Sequence, residues 1–103
     1  MSGIRHRVLV CYDVRDPVRL RRTHATMLGF GDPLQYSVFL CDVSGTEAAL
    51  MEAALRRVMR TTEDSLIFVD LGPAEGIARS RIRTVGPTLS PALSSDRRRY
   101  HAV

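Results

Sequence analysis

The sequence predicts an α+β sandwich of ferredoxin-like order, βαββαβ, extended by one C-terminal strand. Two observations predict it, and a third bears on how its sheet is covered. Apolar, β-branched and aromatic runs at 8–13, 33–43 and 65–71 lack helical period and read as strands. Two intervening segments carry helix-start signals followed by apolar stripes at helical spacing. The strands VLVCY, SVFLC and LIFV are apolar on both faces, whereas a sheet with one wet face alternates.

The first strand ends in Asp13. Asp16 and Pro17 then open a helix, the acid capping a free N–H and proline filling the first turn. Leu20, His24, Met27 and Leu28 form its apolar side, with Arg19 and Arg22 pointing away. Gly29 and Gly31 are placed to end it, glycine being the best left-handed cap. The stretch 33–43 reads as one strand or as two joined by a tight turn near Tyr36 and Ser37. Ser44 and Glu47 form a capping box, and the helix they open runs to about Arg60. Met51, Ala54, Leu55 and Val58 make its stripe. A strand follows at 65–71.

Two helices cover one face of such a sheet. The other face needs a partner, and a second copy of the chain is the simplest one. Further on, Arg79, Arg81 and Arg83 recur at period two, which on a strand at 79–85 places them on one side. Residues 1–86 therefore read as one ferredoxin-like domain. Residues 87–103, rich in Pro, Ser and Arg, read as a tail.

At 103 residues the chain holds a single core. No apolar run approaches membrane-spanning length and MSGIRHRVLV lacks a signal-peptide core, so a cytoplasmic protein without membrane contact is expected. Cys11 and Cys41 sit in apolar runs without C-x-x-C spacing, which suits reduced, buried thiols. The net charge is +4 with a pI of about 9.8, and every basic residue is arginine. Arginine grips phosphate as a planar fork, so the composition suits a polyanion. A coding preference for arginine accounts for it equally well.

Four pieces, VCYDV (10–14), RLRR (19–22), GDPLQYSVFLCDV (31–43) and EDSLIFVDLG (63–72), resemble in order and spacing a known family. It is the small CRISPR-associated endoribonuclease of the spacer-acquisition module, the non-integrase member of that pair. The resemblance implies a ferredoxin-like homodimer whose sheets face each other, with a strand at about 81–85 crossing to the neighbour. It implies that Asp13 faces its symmetry mate and that the pair holds Mg2+. It also implies metal-dependent cleavage of RNA or DNA, and a bridging role that binds the CRISPR integrase and double-stranded DNA. The chain departs from the family pattern at Gly31, Asp32 and Pro33, where relatives carry a basic residue, and at Leu40, where they carry an acid.

The resemblance answers why a charge ends a buried strand. Two carboxylates brought together repel, and a hard divalent cation that prefers oxygen ligands removes the penalty. Tyr12 points opposite Asp13 by strand alternation, so packing competes with a role in the site. Phe39 reads as core from its residue type and strand position, although the resemblance places it near the site. Ser37 has no base in sequence partnership and suits a hydrogen bond to water or phosphate rather than nucleophilic attack. Arg19, Arg21 and Arg22 follow the metal candidate closely and are candidates for phosphate contact, as are Arg79, Arg81 and Arg83; salt bridges are the alternative. His24 reads as a packed histidine.

Two functions follow: an adaptation protein with magnesium-dependent phosphodiester cleavage centred on Asp13, or a DNA-binding scaffold without nuclease activity. An RNA-recognition module fits poorly, since aromatics make up only 6% of the chain.

Overall fold

The computed structural model describes residues 4–90. Strand β1 (His6–Asp13) leads to helix α1 (Pro17–Leu28), strands β2 (Asp32–Gln35) and β3 (Val38–Val43), helix α2 (Gly45–Val58) and strand β4 (Ser65–Pro73). A short 3₁₀ helix, Ile77–Ser80, follows. The sheet order is β2-β3-β1-β4 with antiparallel neighbours, the arrangement expected for ferredoxin-like order. The stretch 33–43 is two strands turning at Tyr36 and Ser37.

Local signals set both helix starts. The Asp16 carboxylate accepts from the backbone N–H groups of Val18 and Arg19 at 3.0 and 2.9 Å. Ser44 and Glu47 close the capping box at 3.1 and 2.9 Å. The core lies between the helices and one sheet face, with Val10, Met27, Phe39, Met51 and Leu55 fully buried. Among its thiols, Cys41 is buried there and burial pushes its pKa up to about 12.

Two expectations are corrected. Leu28 is exposed, and Thr23 takes the buried place on α1, where its hydroxyl donates to the Arg19 carbonyl at 2.8 Å. Threonine is tolerated at that position because the hydrogen bond satisfies its hydroxyl. Gly29 ends α1 in right-handed backbone, so no left-handed cap is used. Gly31 is needed for closeness instead: a Cβ there would lie 2.5 Å from Cys41 Sγ and 2.6 Å from the Leu40 carbonyl oxygen.

The segment 79–85 pairs with no strand among the described residues of one chain. The alternation in exposure is present, with Arg81 and Arg83 outward and Ile82 inward. Ile82 and Ala78 instead pack on the sheet face opposite the helices, against Leu34, Leu40 and Leu71. Leu89 donates its N–H to the Leu34 carbonyl at 3.1 Å, which carries this segment across to β2. The chain thus covers part of its own second face. Ile67 and Val69, 57% and 40% exposed on β4, stay open. The tail beyond residue 90, with Arg97, Arg98 and Arg99, lies outside the described residues. No helix among the described residues is long and apolar enough to cross a membrane.

Candidate functional site

Strand alternation divides the predicted site residues between two faces. Val8, Val10 and Tyr12 turn toward the helices, so Leu9, Cys11 and Asp13 turn toward the second face. Asp13 is exposed at the very end of β1, opposite Ser65 of β4. Among the described residues its carboxylate takes part in no ion pair. Cys11 lies opposite Ile67 and Leu9 opposite Val69. A strip of apolar side chains therefore runs along the second face and ends at Asp13.

Tyr12 and Phe39 lie on the helix side. Phe39 is fully buried, 6.1 Å from the Tyr12 ring between centroids, so it is a core residue and presents no surface to a ligand. The Tyr12 hydroxyl donates to the Tyr36 carbonyl at 3.0 Å, and burial raises its pKa to about 12. It is a neutral hydrogen-bond donor at any ordinary pH. Ser37 is half-buried, and its carbonyl accepts from the Tyr12 N–H at 3.1 Å. Tyr12, Ser37 and Asp13 thus gather at one end of the sheet, with Asp13 alone on the second face.

The arginines separate as well. Arg19 is spent on acids. Its Nε and Nη2 donate to Asp64 at 2.9 and 3.1 Å, and Nη2 also reaches Glu63 at 3.0 Å. A fork so engaged has little left for phosphate. Arg21 and Arg22 are exposed, as are Arg81 and Arg83. Arg79 lies 3.9 Å from Glu75, a loose pair at the surface.

Sequence reasoning missed the residue that organises this end. Asp64 is buried and accepts from the Arg15 and Arg60 backbone N–H groups, at 3.1 and 2.8 Å, as well as from Arg19. Those donors hold its carboxyl well below the usual carboxylate range, the Arg19 hydrogen bond foremost, against burial, which raises it. One acid so ties the loop after Asp13 to α1 and to the turn before β4. The pairing of Arg19 with an acid far along the chain leaves no local spacing signal. Exposed Arg15 was also overlooked, although its place two residues after Asp13 could have marked it.

The magnesium expectation can be tested on the donor set. No group of three or more His, Cys, Asp or Glu side chains among the described residues could hold a metal ion. Magnesium binds through one or two carboxylates and keeps several waters. Exposed Asp13 supplies one such carboxylate, and a twin from a second chain would supply the other.

Fold and site together define a small α+β protein of ferredoxin-like topology whose second sheet face leads to a single exposed acid. Residues 6–75 match the family model described as CRISPR associated protein Cas2. The "CRISPR-associated endoribonuclease Cas2" of Geobacter sulfurreducens is 40% identical over 88 residues, covering 85% of this chain and 92% of that one. "CRISPR-associated endoribonuclease Cas2 1" of Rhodospirillum rubrum is 37% identical over 76 residues, covering 74% of each chain. The crystal structure of Streptococcus pyogenes Cas2 superposes with a TM-score of 0.68 at 32% identity, over 78% of this chain and 99% of that one. A hypothetical protein from Thermus thermophilus shares the fold, with a TM-score of 0.68 at 21% identity over 82% of this chain and 94% of that one. The chain belongs to the Cas2 family of CRISPR-associated proteins.

Proposed function

We propose that this chain works in CRISPR spacer acquisition as a homodimer that binds nucleic acid and bridges the integrase. In that dimer the two Asp13 carboxylates hold Mg2+ at a site for phosphodiester cleavage of RNA or DNA. The observation that carries this reading is the strip Leu9, Val69, Cys11 and Ile67 on one sheet face, with Ile67 and Val69 open, which ends at a carboxylate in no ion pair among the described residues. A second copy laid on that strip buries Ile67 and Val69 and places a matching acid near the first. When bound, magnesium supplies a more acidic water and offsets charge on a phosphate. The residues of the chain supply the rest: Asp13 anchors the ion, Asp64 steadies the loop behind it, and exposed Arg15, Arg21 and Arg22 attract the backbone. The names of the relatives, endoribonucleases, support the cleavage part of the reading.

Replacing Asp13 with alanine tests it. Cleavage by purified dimer disappears in Asp13→Ala while the dimer and its melting temperature stay unchanged, because the side chain is exposed and in no ion pair among the described residues. Unaltered cleavage would remove Asp13 from the mechanism.

A second reading, a scaffold without nuclease activity, is favoured by the engagement of Arg19 with Asp64 and Glu63. That engagement removes one cation from any active site. A spacer-acquisition assay separates the two: the scaffold tolerates Asp13→Ala and the nuclease does not. Both require binding that falls steeply with added salt, as counterion release demands.

A further inference from the structure

Tyr36 sits at the tip of the β2–β3 hairpin with 52% of its surface exposed. Its ring is nevertheless held flat. His24 of α1 stacks on it, ring centroids 4.6 Å apart and planes 12° from parallel. His24 is fixed from three further directions. Its Nδ1 lies 3.1 Å from the Tyr36 carbonyl oxygen and 3.1 Å from the Tyr12 hydroxyl. Phe39 meets its ring edge-on at 5.2 Å. A carbonyl oxygen only accepts, so the Nδ1 of His24 carries the proton that joins them. The same carbonyl also receives the Tyr12 hydroxyl at 3.0 Å. One hairpin carbonyl is thereby tied to both α1 and β1, which orders the tip and the imidazole together.

The outcome is a two-ring stack with a locked inner ring and an outer ring open to solvent. Fixing an aromatic in advance spares a ligand the cost of ordering it. A flat, ordered, exposed aromatic suits a nucleobase, which stacks on such a face whatever its sequence. The next requirement is a cation for the phosphate that follows the base. Arg21 is exposed on α1 three residues before His24, so it lies on the adjoining turn. No ion pair among the described residues claims it.

We propose that the Tyr36–His24 stack is a platform for an unpaired nucleotide, with Arg21 taking an adjacent phosphate. Bases inside a duplex are stacked on their neighbours and cannot use it. The inference rests on the nucleic-acid reading above and narrows the ligand to one with a single-stranded portion. Platform and Asp13 flank the same end of the sheet from opposite faces, since Tyr12, which holds the hairpin carbonyl, directly precedes Asp13.

The test compares the full chain on a blunt DNA duplex and on the same duplex carrying a short unpaired extension that contains 2-aminopurine. The extension tightens binding about tenfold, equivalent to one good stacking contact, and the 2-aminopurine emission is quenched. Tyr36→Ala removes both effects and leaves blunt-duplex affinity unchanged. Tyr36→Phe keeps the ring and keeps both effects, which separates stacking from any role of the hydroxyl or of folding. Equal affinity of the parent chain for the two duplexes, or an undiminished gain in Tyr36→Ala, overturns the platform while leaving nucleic-acid binding intact. Binding to neither duplex would overturn the nucleic-acid reading itself, and the platform with it.

Discussion

The Asp64 carboxylate meets the Arg19 guanidinium at 2.9 Å, Nε to Oδ2, with the acid's side chain wholly buried and the arginine's mostly so. Because Asp64 also holds the Arg15 N–H, the contact that secures α1 fixes the chain just beyond Asp13. Ser65, the next residue, faces Asp13 across the β1–β4 ladder. Stability and site geometry therefore share one acid.

Asp64→Asn keeps the shape but removes the charge opposite Arg19 and turns one acceptor into a donor aimed at N–H groups. Breaking a buried pair from one side leaves an uncompensated partner. The melting temperature should fall by about 10 °C in a domain of this size, as followed by circular dichroism. A fall within experimental scatter would show that the backbone contacts alone hold the loop.

The same acid sets a pH response. Its folded-state pKa lies below the unfolded value, so the native state binds fewer protons and gains stability wherever the unfolded carboxylate is ionised. That stability is complete above about pH 4 and is lost as pH falls through and below the ordinary carboxylate range. Asp16, Asp42, Glu47 and Asp70 are lowered too, with the same sign. Urea unfolding from neutral to acid pH should therefore show a shallower decline in Asp64→Asn than in the parent, without becoming flat. Parallel declines would mean that Asp64 titrates normally.

Gly31 is the next sensitive point. A methyl group there would overlap Cys41 Sγ and the Leu40 carbonyl, and the backbone contact has no flexible end to move aside. Overpacking of this kind costs about 1–3 kcal/mol, so Gly31→Ala should shift the urea midpoint downward accordingly. Gly45, with open space around it, serves as the control, and Gly45→Ala should leave the midpoint nearly unchanged.

Much of this architecture is legible in the residues because its signals are local. Asp16-Pro17 and the Ser44/Glu47 box mark helix starts through contacts a few residues apart, and the structure has both. The illegible features are contacts between distant segments. Arg19 lies on the rim of α1 and could face water or an acid; only the approach of Asp64, forty-five residues on, decides it. The alternating arginines at 79–85 suggest a strand, and Arg81 and Arg83 do alternate in exposure with Ile82, but a strand also needs a partner to bond, which a local pattern cannot name. His24 shows both limits. Its helical position predicts packing, yet its hydrogen bond to the Tyr36 carbonyl depends on a hairpin twelve residues away.

The open strip on the second face supports a final prediction. Ile67 is exposed although it lies opposite Cys11 in the middle of a ladder, and Val69 beside it is exposed as well. Two large apolar side chains so placed on a flat sheet favour a partner surface. The C-terminal segment already packs over Leu34, Leu40 and Leu71, so a second copy has the Ile67 side of the face left to cover. Ile67→Asp would place a charge in that contact and should weaken self-association at least about thirtyfold, equal to a hot-spot loss of roughly 2 kcal/mol. Leu28→Asp, at an exposed site on α1 remote from this face, should leave association unchanged. Sedimentation velocity over a concentration series reads both. A dimer that survives Ile67→Asp would move the interface elsewhere, and the paired-Asp13 site would lose its basis.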